Sequence, residues 1–409
     1  MKIKEHLLHK IESGVLVIFL ILSMELSLFP YREIVNLGIY LVLLIMTALQ
    51  WKRIAYFATE DKTLIMLVAW ASVSVFWSGF LDDTLLSLFR ASRTTLFGAY
   101  LAARYTLRDQ MRLLSSAILI AAFISIVVCI LIPSYGIATT NNESVWVGIY
   151  SHKQNLGRTM ALGCTIFVVD ILSKDNKRWF ILSLLVMPIS LILLSQSRSS
   201  LILMVLSIAI LSLYKIAKLQ SLSQILVTLI IILIIGSISY IIIDNLEFIL
   251  VDILDKDVEL NGRTPIWMLA LEKIKERFWI GYGYSAFWQS DAGKYITNNT
   301  WLKFSNNPPK GWNSHNGFIE MTLQLGIIGL GITIINLLSL IFKSAKLLIL
   351  TLTVESMWML EVVVFTIVNN TSSRMTFLSD NLYWVIYVSV TLTCSIEYSR
   401  ISKNRQAIK

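Results

Sequence analysis

Five arginines stand in or beside stretches that are otherwise apolar, and cations in such places are candidates for binding an anion. Arg90 and Arg93 lie three residues apart in one apolar run, so a helix would carry both on one face. Arg158 begins another run, Arg198 sits in a short serine-rich turn, and Arg263 precedes a helical segment. Together they predict a diphosphate ligand, because a guanidinium binds two phosphate oxygens at once. For each arginine by itself, an ion pair or a membrane-surface anchor is the alternative.

His315 is the residue best suited to move a proton. An imidazole titrates near neutral pH and can accept a proton from a hydroxyl group. Asn316 follows it directly, and Glu320 lies a little over one helical turn later, where it could orient His315 or an acceptor. The alternative is a histidine that only caps a helix. His152, next to Lys153, is a second candidate.

Metal and nucleotide chemistry are not indicated. No set of His, Asp and Glu has the spacing of metal ligands, and neither a Walker motif nor a Gly-rich dinucleotide loop occurs. The three cysteines lie in apolar runs and are expected to be buried small hydrophobes. We therefore expect no metal and no cofactor, so the energy for any reaction would have to come with a lipid-diphosphate substrate.

The composition is that of an integral membrane protein. Of 409 residues, 56% are hydrophobic and 15% are charged, and the mean hydropathy is +0.69. A soluble domain carries about 25% charged residues. The net charge of +9 could indicate nucleic acid, but the basic residues stand where cytoplasmic loops are expected. We therefore expect membrane lipid, and not nucleic acid, to be the partner of these charges.

Apolar runs long enough to cross a bilayer recur along the whole chain. They predict an all-α polytopic membrane protein of about twelve transmembrane helices, forming a single membrane domain over residues 1–409. The spans are expected at 14–30, 35–50, 63–79, 85–103, 112–133, 155–172, 179–195, 199–216, 224–244, 316–342, 347–369 and 381–398.

The distribution of Lys and Arg predicts the orientation. With a cytoplasmic N-terminus, the inner segments hold twenty of these residues and the short outer loops hold four, Arg32, Lys153, Arg198 and Arg374. Both termini are then cytoplasmic, and residues 245–315 form one large outer loop between the ninth and tenth spans. This loop has no cysteine pair, which fits a periplasmic loop of a bacterial inner (cytoplasmic) membrane protein.

The outer loop has internal order of its own. Residues 264–279 predict a helix, and Gly281 and Gly283 allow a tight turn after it. Residues 244–259 are acidic and indicate a solvated face, whereas 289–313 are rich in Asn and Pro and predict an irregular loop. The apolar stripe of the helix is expected at Trp267, Leu271, Ile274 and Phe278.

His315-Asn316, followed after nine residues by Gly326-Ile327-Ile328-Gly329, resembles the HN-x9-GxxG signature of the O-antigen ligase and O-antigen polymerase superfamily. Arg198 in its short outer loop, Arg263 before a helix and the glycine-flanked turn are similar to that family as well. Residues 148–157 resemble a G-x-x-x-HKN-x-LG stretch of exopolysaccharide and O-antigen polymerases, although Gln154 interrupts the match.

The resemblance implies a metal-independent, inverting membrane glycosyltransferase of GT-C type whose donor is a glycan on undecaprenyl diphosphate. It assigns His315 as the base or acceptor activator, and Arg198 and Arg263 as diphosphate-binding groups. The favoured function is polymerisation of undecaprenyl-diphosphate-linked oligosaccharide repeats, of O-antigen or exopolysaccharide, at the periplasmic face. The alternatives are an O-antigen ligase that moves the glycan to the lipid A core of lipopolysaccharide, and a lipid-linked glycan transporter. Expected partners are the lipid-linked donor, the acceptor glycan or lipid A core, and optionally a chain-length regulator protein.

Overall fold

A computed structural model of the chain describes residues 2–27, 32–140, 143–171, 178–210, 212–218, 221–244, 263–304, 312–371 and 376–408. The acidic stretch predicted to be a solvated face lies outside these residues from position 245 onward.

Within these residues the chain is a series of helices with one short hairpin. The helices are α1 (Lys2–Leu22), α2 (Arg32–Leu49), α3 (Trp51–Thr59), α4 (Lys62–Val73), α5 (Leu81–Arg104), α6 (Leu107–Leu131), α7 (Pro133–Gly136), α8 (Lys153–Ile171), α9 (Arg178–Leu194), α10 (Arg198–Ile210), α11 (Ser212–Ala217), α12 (Leu222–Asp244), α13 (Arg263–Glu276), α14 (Asp291–Asn298), α15 (Gly317–Thr351), α16 (Val354–Thr371) and α17 (Leu382–Ile408). Turns of 3-10 helix occupy Ser74–Phe76, Phe287–Gln289 and Trp301–Phe304. The hairpin pairs β1 (Ile137–Thr140) with β2 (Glu143–Trp146) in antiparallel register.

Several of these helices are long and apolar enough to cross a membrane. In the described part of the chain they are Leu107–Leu131, Leu222–Ser239 and Gly317–Thr351, and the pair Leu37–Leu49 and Trp51–Thr59, bent by 83°, would make a fourth span. Shorter apolar helices cover Lys62–Phe76, Trp179–Leu194 and Arg198–Ile210. The chain is thus a helical membrane protein, as predicted, while the number of twelve spans stays a prediction.

One predicted boundary is wrong. The break expected at 343–346 is helical, because α15 continues to Thr351 before the chain turns at Leu352. The two lysines at 343 and 346 marked the end of an apolar run, but no Gly or Pro accompanies them to stop a helix.

α15 is interrupted near its start. Gly326 has φ 68° and ψ −172°, and a Cβ there would lie 2.2 Å from the carbonyl oxygen of Trp279. The turn after α13 fills this break, since the amide of Gly283 donates to the carbonyl of Gln324 at 2.9 Å. Gly281 and Gly283 have φ of +68° and +101°, which confirms the predicted tight turn. Gly326, the first glycine of the GxxG motif, therefore leaves space for the turn that follows α13.

The helix predicted at 264–279 is α13, but the predicted stripe is wrong in part. Its buried face consists of Ile266, Ala270 and Ile274, whereas Leu271 is 52% exposed and Phe278 lies beyond the helix end. The spacing of apolar residues along the helix does not determine which face is buried, and the segments that pack against the helix do. The buried face belongs to an apolar cluster with Phe287, Trp288, Ile296, Leu302 and Leu323.

The irregular loop predicted at 289–313 is wrong for its first part. Ser290 caps α14 by accepting a hydrogen bond from the amide of Gly293 at 3.2 Å, and Ile296 on this helix is fully buried. The signal was present, because Ser followed by Asp is a common helix start. The Asn and Pro residues that follow are typical of irregular loops, and they led to the wrong prediction for this segment.

The described residues group into two compact units. The first comprises Met1–Ile54, Tyr100–Ile232 and Ser344–Phe365, and the second comprises Ala55–Ala99, Leu233–Lys343 and Thr366–Lys409.

Candidate functional site

The segment just before α15, in the second unit, is held on both sides of Ser314. The amide of Ser314 donates to Oε2 of Glu320 at 2.9 Å, and its carbonyl accepts from the indole Nε1 of Trp267 at 2.8 Å. Its hydroxyl donates to the carbonyl of Asn316 at 2.8 Å. Ser314 is fully buried. Helices α13 and α15 thus both fix the backbone that precedes His315.

His315 adopts a backbone conformation that is uncommon for a residue with a side chain. Its φ is +52°, and its amide donates to Oδ1 of Asn313 at 2.9 Å. Such a conformation costs free energy and persists only where neighbouring contacts impose it, often at functional sites. Asn316, and not His315, caps α15, because its Oδ1 accepts from the amides of Phe318 and Ile319 at 3.0 and 3.1 Å. The hydrogen bonds that cap α15 thus come from Asn316.

Glu320 is a buried carboxylate with hydrogen bonds to both oxygens. Besides Ser314, it accepts from Nε1 of Trp288 at 2.9 Å and from Nε2 of Gln324 at 2.8 Å. These contacts attach Glu320 to the backbone next to His315. Glu320 is thus predicted to orient His315 indirectly, by holding the backbone amide of Ser314.

Arg263 is the first described residue of α13 and is buried. A helix N-terminus carries partial positive charge, which adds to that of the guanidinium. Trp267 lies one turn further along the same helix and bonds to Ser314, so α13 connects Arg263 to the backbone beside His315. These two predicted site residues therefore belong to one connected part of the second unit.

Arg90 and Arg93, on α5, lie among carboxylates. Arg93 is buried and forms an ion pair with Asp380. Arg90 lines a cavity that Asp83, Glu320 and Asp380 also line. The structure thus supports the ion-pair alternative for Arg93. That the two arginines bind a diphosphate stays a prediction, and a phosphate there would have to approach three carboxylates.

Among the described residues, those that line this cavity all belong to the second unit, and the cavity has a volume of about 490 Å³. Tyr284, Trp288 and Trp312 provide aromatic surface. Besides the charged side chains named above, the polar lining consists of hydroxyl groups and of the side-chain amides of Gln289, Asn313 and Gln324. The cavity volume is within the range of about 300–1,000 Å³ that is usual for small-molecule sites. His315 is not among the lining residues, although Asn313, which accepts its amide hydrogen, is.

The aromatic wall at Tyr284 is fixed from several directions. Its amide donates to Oγ of Ser74 at 3.0 Å, and its carbonyl accepts from Oγ1 of Thr84 at 2.8 Å. Its hydroxyl donates to the carbonyl of Leu378. Burial, with a contribution from the charge of Asp380, raises the pKa of Tyr284, so the phenol stays protonated and keeps that hydrogen bond.

The first unit holds the other predicted cations. A Cβ on Gly157 of α8 would lie 2.3 Å from Oγ of Ser200 and 2.8 Å from Cβ of Ser197, so α8 and α10 meet near their N-termini. Arg158 follows Gly157 and is buried, with Nη2 donating to Oε1 of Gln154 at 3.0 Å. Arg198, the first residue of α10, is exposed. The contact at Gly157 therefore brings the first turns of α8 and α10 together, and each of these helices carries one of the two predicted arginines.

His152 and Lys153 lie at the start of α8. His152 is exposed as a residue, and its Nδ1 accepts from the amide of Gln154 at 3.3 Å. Surrounding protein atoms and the charges of Arg158 and Lys153 lower the pKa of His152. The imidazole is thus disposed to be neutral, as a proton acceptor must be.

Sequence reasoning missed Asp83, Asp380 and the two tryptophans of the cavity. Asp83 stands just before an apolar run, where an acidic residue usually indicates only a helix start. Nothing in its spacing connects it to Asp380. Among the described residues, no three His, Cys, Asp or Glu side chains come together as metal ligands would.

Two comparisons with known proteins agree with the motif. Residues 182–334 match a family model described as O-antigen ligase, and this range contains Arg198, Arg263 and the His315-to-Gly329 pattern. The chain is also similar to the exopolysaccharide production protein ExoQ of Rhizobium meliloti (strain 1021), at 32% identity over 91 residues. That match covers 22% of this chain and 20% of the relative. The resemblance to the O-antigen ligase and polymerase superfamily is thereby confirmed.

Proposed function

We propose that this protein is a membrane glycosyltransferase that polymerises oligosaccharide repeats carried on undecaprenyl diphosphate, at the periplasmic face of a bacterial inner membrane. The observation that carries this proposal is the strained, doubly fixed backbone at His315, inside the segment that matches the O-antigen ligase family. Cofactor-free polymer assembly needs one proton acceptor and a means of holding the diphosphate, and the chain offers candidates for both.

The diphosphate of the donor is proposed to bind to arginines. In the first unit, Arg198 is the first residue of α10 and Arg158 lies in the second turn of α8. Helix N-termini attract phosphate through their amides and their partial charge. In the second unit, Arg263 has the same setting at the start of α13. A guanidinium can bind two phosphate oxygens at once and stabilise the charge that builds up as the diphosphate leaves.

His315 is proposed to act as the base. Its imidazole accepts the proton of an acceptor hydroxyl, and that oxygen then forms a bond to the anomeric carbon of the donor sugar. The bond between this carbon and the diphosphate oxygen breaks, with inversion, and the lipid diphosphate leaves. Fixing the backbone before His315 through Glu320 and Trp267 supports this role, since a general base must hold its position within a fraction of an ångström. EDTA is expected to leave turnover unchanged, because no step uses a metal.

Polymerase and ligase share this chemistry and differ in the acceptor. The similarity to a protein named for exopolysaccharide production favours a polymerase, whereas the matching family model carries the description of a ligase. Deleting the gene separates them. Loss of a polymerase leaves single repeats, which in an O-antigen strain cap the lipid A core. Loss of a ligase leaves long polymer on undecaprenyl diphosphate and a bare core, and this result would refute the polymerase proposal.

A transporter for the same lipid is the alternative from another class. Purified protein in liposomes, given lipid-linked repeats on the side of the 245–315 loop, should lengthen them without any energy source. Movement of the lipid across the bilayer with no new glycosidic bond would contradict the enzymatic proposal. His315→Ala should abolish lengthening while leaving the binding of the lipid-linked donor intact.

A further inference from the structure

The cavity lined by Asp83, Arg90, Gln289 and the aromatic residues is not used by the donor chemistry just described. We propose that it is a saccharide subsite that receives a neutral or amino-bearing pyranose of the acceptor glycan and rejects a uronic acid. This inference rests on the proposed function for the role of the bound sugar as acceptor. The existence of the subsite and its charge preference rest on the cavity alone.

The shape and surface of the cavity fit a sugar ring. A pyranose has an apolar face of C–H groups, which packs against an aromatic ring, and a rim of hydroxyls, which need hydrogen-bond partners. Trp288 and Trp312 provide the rings, and Asp83 and Gln289 provide acceptors and donors at the lining. At about 490 Å³ the cavity can hold more than a single ring.

The charge of the lining sets the class of ligand. In the described part of the chain, three carboxylates line the cavity, those of Asp83, Glu320 and Asp380, and one guanidinium, that of Arg90. The nearby Arg93 is paired with Asp380. The lining is therefore net negative, which opposes a phosphate or a carboxylate. A lipid acyl chain is disfavoured as well, since it would strip water from the carboxylates. A polyhydroxyl ligand, neutral or carrying an ammonium group, suits both conditions.

The walls are fixed in advance. Tyr284 is held by Ser74, Thr84 and Leu378, and Glu320 and Gln324 hydrogen-bond to each other. Trp312 adds an independent observation, because its indole Nε1 is buried without a hydrogen-bond partner in the described part of the chain. A buried donor of this kind is usually satisfied, and a ligand hydroxyl is a suitable acceptor for it.

The test is binding of matched methyl glycosides to the full-length protein in lipid nanodiscs, measured by saturation-transfer NMR titration. The probes are methyl glucoside, galactoside and mannoside, their 2-amino forms and their uronates. We expect at least one neutral or amino glycoside to bind, and its uronate to bind at least about tenfold more weakly.

Two variants connect binding to the cavity. Gln289→Ala should weaken binding of the neutral glycoside by about tenfold, and Asp83→Asn should reduce the discrimination against the uronate to a few-fold. Asp82→Asn is the matched control, because Asp82 is exposed on the same helix and does not line the cavity. Equal melting temperatures of the variants would show that the fold is kept.

Binding of no glycoside in the panel, equal binding of neutral and uronate forms, or an equal effect of Asp82→Asn would overturn the inference. The gene deletion tests the proposed function separately. If the deletion blocks glycan assembly but no glycoside binds, only the subsite fails. If glycosides bind as expected but the deletion leaves glycan assembly intact, the proposed function fails and the saccharide site remains.

Discussion

Glu320 offers a direct test of how the structure supports His315. Its carboxylate accepts from the amide of Ser314 and from Trp288 and Gln324, at 2.8–2.9 Å, and only 3% of the residue is exposed. Glu320→Ala removes all three acceptor contacts. Glu320→Gln keeps the size of the side chain but places an amide N–H₂ where one oxygen accepted.

The magnitude follows from these three contacts. A buried donor left without an acceptor costs about 1–3 kcal/mol. Because Glu320 lines a cavity that water can enter, the lower end applies, and we expect Glu320→Ala to destabilise the second unit by about 3 kcal/mol in total. Glu320→Gln leaves one donor facing another, which should cost about 1–2 kcal/mol.

Activity should fall for a different reason from stability. Release of the Ser314 amide lets the backbone before His315 shift, and a displacement of ~1 Å in a catalytic group lowers turnover by about a hundredfold. We therefore expect Glu320→Gln to reduce kcat by about tenfold to a hundredfold, with a smaller effect on KM. The remaining turnover should still depend on pH, since the proposed base, His315, is kept.

The assay is lengthening of lipid-linked repeats by reconstituted protein across a range of pH, with melting in detergent measured in parallel. Glu272→Gln is the matched control, because Glu272 is exposed on α13, and it should change neither quantity. Full stability and full turnover of Glu320→Ala would refute the positioning argument. Turnover of Glu320→Gln that no longer depends on pH would instead indicate that Glu320 itself exchanges the proton.

Three further predictions concern other parts of the chain. Gly326→Ala should lose folded protein in fluorescence-detected gel filtration, because its Cβ would meet the Trp279 carbonyl at 2.2 Å, whereas Gly331→Ala, with open space around it, should not. Lys294→Cys and Asn404→Cys, both at exposed positions, should react with a membrane-impermeant thiol reagent from opposite sides; labelling of both from the periplasm would refute the topology. Arg198→Lys should lower turnover at least tenfold although the charge is kept, since an ammonium cannot bind two phosphate oxygens in a plane; unchanged activity would argue against a bidentate contact.

Much of the local structure was readable from the sequence, because it depends on residues near one another in the chain. The membrane class follows from composition, and a helix near 264–279 follows from its apolar spacing. The turn at Gly281 and Gly283 follows from the freedom of glycine at positive φ. The motif from His315 to Gly329 predicts the resemblance to the O-antigen ligase family from residues near one another in the chain.

Tertiary structure alone decided which partners these local elements meet. Arg93 pairs with Asp380, 287 residues away, and no spacing rule connects the two. The buried face of α13 is Ile266, Ala270 and Ile274 because the following segment packs there, whereas the sequence allowed a neighbouring face equally well. Periodicity records only contacts within one helix or strand, so the cavity and the fixed backbone beside His315 required the packed fold.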